Sequence, residues 1–107
     1  MLDKRKFYIN GKWIEPSKKN DFEVIDPSNE EVFAIISLGS KNDVDLAVKA
    51  SKDSFGSWKE TTKKERIKLL EKLLKIYKKR FSEMTEAISK EMGAPVDWSS
   101  DVQNASG

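Results

Sequence analysis

The chain has 107 residues, of which 36% are charged and 37% hydrophobic, and its 20 basic and 18 acidic side chains give a formal net charge of +2. This length allows one small domain with a small core, and charges so nearly balanced give little reason to expect a nucleic-acid partner. The absence of cysteine and histidine excludes disulfides, thiolate metal sites, a thiol nucleophile and an imidazole base within these residues.

The first six residues are mostly charged and lead into Phe7 without an apolar run, so we predict no secretory signal peptide. No stretch of the sequence approaches the apolar length that a membrane-spanning helix requires. We therefore expect a cytoplasmic location, with no membrane partner and no nucleic-acid partner.

The first predicted element is a β-hairpin. Residues 7–9 and 12–14 are largely apolar or aromatic and flank the dipeptide Asn10-Gly11. This dipeptide is the one that most readily adopts the positive φ angles of a type I′ turn. We therefore expect two short antiparallel strands that meet at residues 10 and 11.

Two further strands are predicted on either side of a tight turn. Residues 22–25 alternate briefly, and residues 32–38 form a strongly apolar run. Between them, Pro27 presets φ for a turn, and the Asp26 side chain can accept a hydrogen bond from the backbone two residues further on. Because the second run alternates poorly, we expect it to be buried on both faces.

A first helix is predicted to open at Ser40, because Ser40 and Asp43 have the form of a capping box. Apolar and small residues then recur on one face at helical spacing: Val44, Ala47, Val48, Ser51 and Phe55. We expect Gly56 to end this helix, with Trp58 packed just beyond it.

A second capping box, Thr62 with Glu65, opens the most strongly patterned segment of the chain. Apolar residues follow at steps of three and four: Ile67, Leu70, Leu74, Tyr77, Phe81, Met84, Ile88 and Met92. A second apolar row runs beside the first: Leu69, Leu73 and Ile76. The pattern predicts one long amphipathic helix, or two in tandem, with an apolar face that must be buried.

Residues 93–95, Gly-Ala-Pro, are predicted to stop this helical segment, since glycine accepts the left-handed C-terminal conformation and proline cannot continue the helix. Residues 97–107 resemble the start of another helix. The predicted order is therefore hairpin, strand, strand, helix, long helix or helix pair, and a partial helix.

No arrangement of residues in the sequence predicts catalysis or cofactor binding. The five glycines are too widely spaced for a dinucleotide fingerprint or a phosphate loop. The serines have no histidine to activate them, and Glu65, Glu71, Glu83 and Glu86 lie among lysines on the polar side of the predicted long helix. We therefore predict no catalytic and no cofactor-binding residue in this chain.

Six motifs nevertheless occur in an order typical of one family. They are FYINGKW at positions 7–13, FEVIDP at 22–27 followed by Glu31-Val32, Ser40-x-x-Asp43-Val44-Asp45-x-Ala47-Val48, Phe55-x-x-Trp58, Glu65-Arg66, and Glu91-Met92-Gly93-Ala94-Pro95. Together they resemble the opening of NAD(P)-dependent aldehyde dehydrogenases. The resemblance covers essentially the whole chain, and QNASG at 103–107 is similar to the next helix of the family.

The resemblance implies an α/β parent protein of several hundred residues. Residues 1–107 would be the N-terminal portion of its cofactor domain, a β-hairpin and short strands followed by two or three helices. The parent would oxidise an aldehyde to a carboxylic acid with NAD or NADP and form a homo-oligomer. The catalytic and cofactor-binding residues would lie beyond Gly107, so no cofactor is expected to bind this chain alone, and its partner would be the remainder of the same polypeptide.

One site can be transferred from the family residue by residue. Some members hold a structural monovalent cation with backbone carbonyls just before the Asp-Pro turn and with the acidic residue near the Gly-x-Pro stop. The matching positions here are Val24, Ile25 and Glu91, although many members have the shorter aspartate at the last position. The alternative is that Glu91 is an ordinary residue of the helix surface.

A second hypothesis is that the chain is a self-standing helical interaction module whose long helix self-associates. The apolar spacing from Ile67 to Ile88 is close to a heptad repeat. The aromatic residues Tyr77 and Phe81, and the second apolar row, suit a coiled coil poorly.

Overall fold

The computed structural model describes residues 1–106, which form two compact units. The first unit comprises Met1–Val24 and Val32–Thr61, and the second comprises Ile25–Glu31 and the chain from Thr62 onward. The strands lie mainly in the first unit, and the helices after Thr62 lie in the second.

Five strands form two sheets: β1 (Leu2–Lys4), β2 (Phe7–Ile9), β3 (Lys12–Ile14), β4 (Asp21–Asp26) and β5 (Glu31–Ser37). One sheet has the order β1-β5-β4, and the other contains only β2 and β3. Strand β1 pairs in parallel with β5, with Leu2 opposite Ala34. The sequence did not predict β1, because residues 2–4 are mostly charged and their pairing partner lies thirty residues away.

The predicted hairpin is confirmed. Strands β2 and β3 are antiparallel, with Phe7 opposite Ile14. Asn10 and Gly11 have φ angles of 53° and 75°, as a type I′ turn requires. The rings of Tyr8 and Trp13, which face each other across the two strands, lie 5.2 Å apart between centroids.

The turn between β4 and β5 also has the predicted chemistry. The Ser28 N–H donates to Asp26 Oδ1 at 2.8 Å, and the Glu30 N–H donates to the Asp26 carbonyl oxygen at 2.8 Å. In β5 only Ala34 and Ser37 are buried, while the neighbouring apolar residues are half-buried. The expected burial of β5 on both faces is therefore incomplete within the described residues.

Helix α1 (Lys41–Trp58) begins at the predicted residue but extends past Gly56. The prediction that Gly56 ends the helix was wrong, because a glycine inside a helix is tolerated at a cost of about 1 kcal/mol. The helix ends after Trp58, where the Thr61 hydroxyl donates to the Trp58 carbonyl oxygen at 2.6 Å. Thr62 then takes an extended conformation and opens the next helix.

The long patterned segment forms two helices in tandem, α2 (Lys63–Lys79) and α3 (Phe81–Met92). The capping box at the start of α2 is confirmed, since the Glu65 N–H donates to Thr62 Oγ1 and the Thr62 N–H donates to Glu65 Oε2. Gly93 ends α3 with φ of 65°, which is the left-handed cap predicted from the sequence.

After Pro95 the chain is helical again, as expected. Helix α4 (Val96–Trp98) continues directly into a π-helical segment, Ser99–Asn104. The sequence did not predict the wider pitch of this segment. The predicted partial helix included Gly107, which lies outside the described residues. Within the described part of the chain, none of the helices is both long enough and apolar enough to cross a membrane.

The apolar helix faces remain largely exposed in the chain itself. Within residues 1–106, Ala34 is the one buried hydrophobic residue, and no residue of α2 is buried. The chain exposes 8774 Å². A compact protein of 12.2 kDa is expected to expose roughly 6,100 Å², and two separate compact units of half that mass roughly 7,300 Å². The chain therefore leaves uncovered much apolar surface that a folded protein normally buries.

Candidate functional site

The structure places the three predicted cation-site residues in different surroundings. Val24 is half-buried in β4, within the first unit. Ile25 and Glu91 belong to the second unit, where both side chains are exposed. No group of three or more acidic side chains that could hold a metal ion is present in residues 1–106. The predicted cation site uses two backbone carbonyl oxygens and one carboxylate, so the absence of an acidic cluster does not test it. The site stays a prediction.

Two of the motifs singled out in the sequence meet in the second unit, at what we term the turn–helix junction (residues 26–28 and 90–93). A Cβ added to Gly93 would lie 3.1 Å from the Ser28 nitrogen and 3.2 Å from Pro27 Cβ. The positive φ of Gly93 and the lack of a side chain both allow this close approach. The Asp-Pro turn and the Gly-x-Pro stop are therefore parts of one packed junction.

Two charged residues of the turn–helix junction, Asp26 and Lys90, have hydrogen-bond partners. Hydrogen bonds from the Ser28 hydroxyl and N–H lower the pKa of Asp26, and the positive charge of Lys90 lowers it further. The Lys90 ammonium also donates to Glu86 Oε1 at 2.7 Å. Asp26 is thus held as an ionised hydrogen-bond acceptor, and this arrangement shapes the turn.

A second polar cluster, the Asp43 clamp (Ser17, Ser40 and Asp43), lies in the first unit. Asp43 is only 4% exposed. Its Oδ1 accepts from the N–H and hydroxyl of Ser17, and its Oδ2 accepts from the N–H and hydroxyl of Ser40, all at 2.7–2.8 Å. These bonds, those from Ser17 first, hold the pKa of Asp43 well below its usual range. The sequence predicted the pairing with Ser40 but not the contact with Ser17.

A third cluster, the Asn104 network, lies in the second unit. Asn104 is 1% exposed. Its amide donates to the Phe81 carbonyl oxygen at 2.8 Å and to Thr85 Oγ1 at 2.7 Å, and the Tyr77 hydroxyl donates to Asn104 Oδ1. Sequence reasoning missed this network, because Tyr77 and Phe81 fit the apolar stripe and Asn104 stands in a short polar stretch without a recognisable pattern.

A charged cleft of about 270 Å³ lies in the first unit. Its walls carry side chains of both charges and two uncharged residues: Asp3, Arg5, Lys6, Glu15, Pro16, Lys19, Asp21 and Ser37. Arg5 pairs with Asp3 at 2.7 Å and with Asp21 at 3.3 Å. Hydrogen bonds from Arg5 lower the pKa of Asp3 to about 2. The cleft therefore holds ion pairs rather than a nucleophile beside a base.

The comparisons with known proteins agree on one family. The profile of the aldehyde dehydrogenase family matches residues 13–106. A 3-succinoylsemialdehyde-pyridine dehydrogenase from Pseudomonas sp. is 42% identical over 96 residues, which are 90% of this chain and 20% of that protein.

Solved structures show the same relationship. An aldehyde dehydrogenase from Bartonella henselae superimposes with a TM-score of 0.96 at 54% identity, over 98% of this chain and 22% of that one. Aldehyde dehydrogenase C from Pseudomonas syringae, a mutant in complex with NAD+ and octanal, gives a TM-score of 0.91 at 35% identity, over 94% of this chain and 21% of that one. An NAD+ complex of a Mycobacterium tuberculosis aldehyde dehydrogenase gives a TM-score of 0.88 at 28% identity, over 94% of this chain and 21% of that one.

These matches confirm the predicted fold, an N-terminal part of the α/β aldehyde dehydrogenase fold in which short strands precede the helices. The chain spans about a fifth of the length of the relatives that it matches. The residues matched by the family profile include both capping boxes and the turn–helix junction. Since the family profile covers nearly all of its residues, this chain belongs to the aldehyde dehydrogenase family.

Proposed function

We propose that the full-length protein, meaning the polypeptide that carries this chain with the remainder of the family fold, oxidises an aldehyde to a carboxylic acid. The family match over residues 13–106 is the observation that carries this proposal. NAD or NADP would accept the hydride. The relatives crystallised with NAD+, one of them together with octanal, support a nicotinamide cofactor and an aldehyde substrate.

Within that protein, residues 1–107 would form the N-terminal portion of the cofactor domain and act as its scaffold. The chain contains no cysteine, so the thiolate that attacks the aldehyde in this family would come from the remainder of the polypeptide. The exposed face of α2 supports this division, since Leu70 and Leu73 are 64% and 61% exposed in the chain. Such a face is stable only when other residues cover it.

The covering partner would be the rest of the same polypeptide, and the full-length protein would be a cytoplasmic homo-oligomer. The alternative of a self-standing helical interaction module has no support from the comparisons, because every relative described above is a dehydrogenase.

We also propose a structural monovalent cation site at the Val24 and Ile25 carbonyl oxygens and the Glu91 carboxylate. The support is positional, since Ile25 directly precedes the turn–helix junction and Glu91 lies within it, both in the second unit. The site predicts that the full-length protein melts at a higher temperature in potassium chloride than in choline chloride of equal concentration. Equal melting temperatures would argue against the site.

The activity is tested by following NADH or NADPH formation with a panel of aliphatic and aromatic aldehydes. We expect aldehyde-dependent turnover by the full-length protein, and none above a buffer blank by the isolated 107 residues. A full-length protein that reduces neither cofactor with any aldehyde would contradict the proposed reaction. Turnover by the isolated chain would contradict the assignment of this segment as a scaffold.

A further inference from the structure

The break between helices α2 and α3 does not coincide with a residue type that usually breaks a helix. Arg80 separates the helices with φ of −103° and ψ of 16°, and its side chain makes no capping hydrogen bond to the backbone. Sharp breaks in helices usually occur at proline, at glycine or serine pairs, or where another group enters the hydrogen-bond ladder. Residues 78–81 are Lys-Lys-Arg-Phe, so the first two causes are absent here.

The third cause, a group from another element, has a candidate among the described residues. Asn104, from the π-helical segment, contacts both helices. Its carboxamide oxygen and its backbone carbonyl oxygen accept from the hydroxyl of Tyr77, in the last turn of α2. Its amide nitrogen donates to the carbonyl oxygen of Phe81 and the hydroxyl of Thr85, in the first turns of α3.

Both polar atoms of the Asn104 side chain have partners in these contacts. Both N–H groups of its amide donate, and its oxygen accepts. Leaving a buried amide without partners is unfavourable, so the arrangement of two separate helices that satisfies it is stabilised.

We propose that Asn104 holds α2 and α3 apart, and that residues 63–92 would otherwise form one continuous helix through Arg80. Phe81 and Ser82 open α3, so their N–H groups have no partner within it. In a continuous helix they would donate to carbonyl oxygens one turn earlier. The Asn104 network therefore replaces backbone hydrogen bonds that the local sequence favours.

The proposal is tested by hydrogen exchange at the Phe81 and Ser82 amides of the full-length protein. In an Asn104→Leu variant, which keeps the number and branching of the side-chain heavy atoms, we expect both amides to exchange at least about tenfold more slowly, because they become part of a continuous helix. The amides of the π-helical segment should exchange faster. A variant that is merely less stable would exchange faster at all of these positions.

Two further variants keep the test decisive. Tyr77→Phe removes only the hydroxyl and should slow exchange at Phe81 and Ser82 by a smaller factor, which carries the test if Asn104→Leu does not fold. Ser99→Ala is the control, since Ser99 is equally buried and its hydroxyl has no hydrogen-bond partner among the described residues. Exchange at Phe81 and Ser82 that is unchanged or faster in the folded variants overturns the proposal.

Discussion

Replacing Gly93 with alanine is expected to destabilise the protein by about 2–5 kcal/mol. A side chain in the left-handed region costs roughly 1–2 kcal/mol, and the φ of Gly93 is 65°. The new Cβ would also meet the Ser28 nitrogen at 3.1 Å and Pro27 Cβ at 3.2 Å, and such overpacking typically costs a further 1–3 kcal/mol. The melting temperature of the full-length protein reports this loss.

The same substitution at two other glycines separates the two causes. Gly56 lies inside α1 with nothing within 4 Å of an added Cβ, so Gly56→Ala should stabilise by about 0.5–1 kcal/mol. Gly11 has a φ of 75° but equally open surroundings, so Gly11→Ala should show the cost of the backbone conformation alone. If Gly93→Ala melts no lower than Gly11→Ala, the close packing of the turn–helix junction is refuted.

Replacing Asp43 with asparagine is expected to lower the melting temperature several-fold more than Asp45→Asn does. Four donors converge on the Asp43 carboxylate, and an asparagine amide would present N–H groups to some of them. Asp45, on the same helix, is exposed and makes one ion pair with Lys41 at 2.7 Å, a type of contact that contributes little. Similar losses for the two variants would show that the Asp43 clamp is dispensable.

The effect of Asp43→Asn should also depend on pH. The pKa of Asp43 is lowered in the folded state, first by the Ser17 bonds and then by the Ser40 bonds. Its contribution to stability is therefore complete above the unfolded pKa of 3.8 and is lost as the pH falls toward the folded value. Melting curves should show a constant difference between wild type and Asp43→Asn from pH 8 to 5, and a smaller one below about pH 4. A difference that already shrinks between pH 7 and 5 would contradict this assignment.

Features set by neighbouring residues could be predicted from the sequence. The type I′ turn depends on Asn10 and Gly11, and the cap of α2 depends on Thr62 and Glu65, three positions apart. In each case the side chains and the backbone that they contact lie within one turn of chain. The same holds for the left-handed cap at Gly93.

Features that depend on distant residues could not be predicted. Ser17 reaches Asp43 across 26 positions, and Asn104 reaches Tyr77 across 27; no periodicity links either pair. We attribute the break at Arg80 to the contacts of Asn104. The apolar spacing after Thr62 carries no sign of these contacts, so it fitted one long helix and two tandem helices equally well. A glycine at position 56 is compatible with a helix end and with a tolerated interior position. The neighbouring residues do not distinguish the two, and the predicted helix end was therefore wrong.

The candidate cation site could not be derived from composition and spacing. Family resemblance supplied Val24, Ile25 and Glu91, whereas composition and spacing alone offered no reason to select them. The structure describes each residue's surroundings, with Val24 in one unit and the other two in the second. The sequence could identify the family of this segment because its turns and caps are distinctive, whereas the reacting groups of the proposed enzyme would lie in other segments.

The central claim is that the apolar face of α2 is covered by the remainder of an aldehyde dehydrogenase. It is tested most directly by placing one aspartate on each face of α2 in the full-length protein, as Leu70→Asp and Lys68→Asp, and measuring the soluble protein and its aldehyde oxidation. Burying an unpaired carboxylate is strongly unfavourable, so Leu70→Asp should abolish soluble, active protein while Lys68→Asp retains most of it. If Leu70→Asp is as soluble and active as Lys68→Asp, the face lies in water and the claim is wrong.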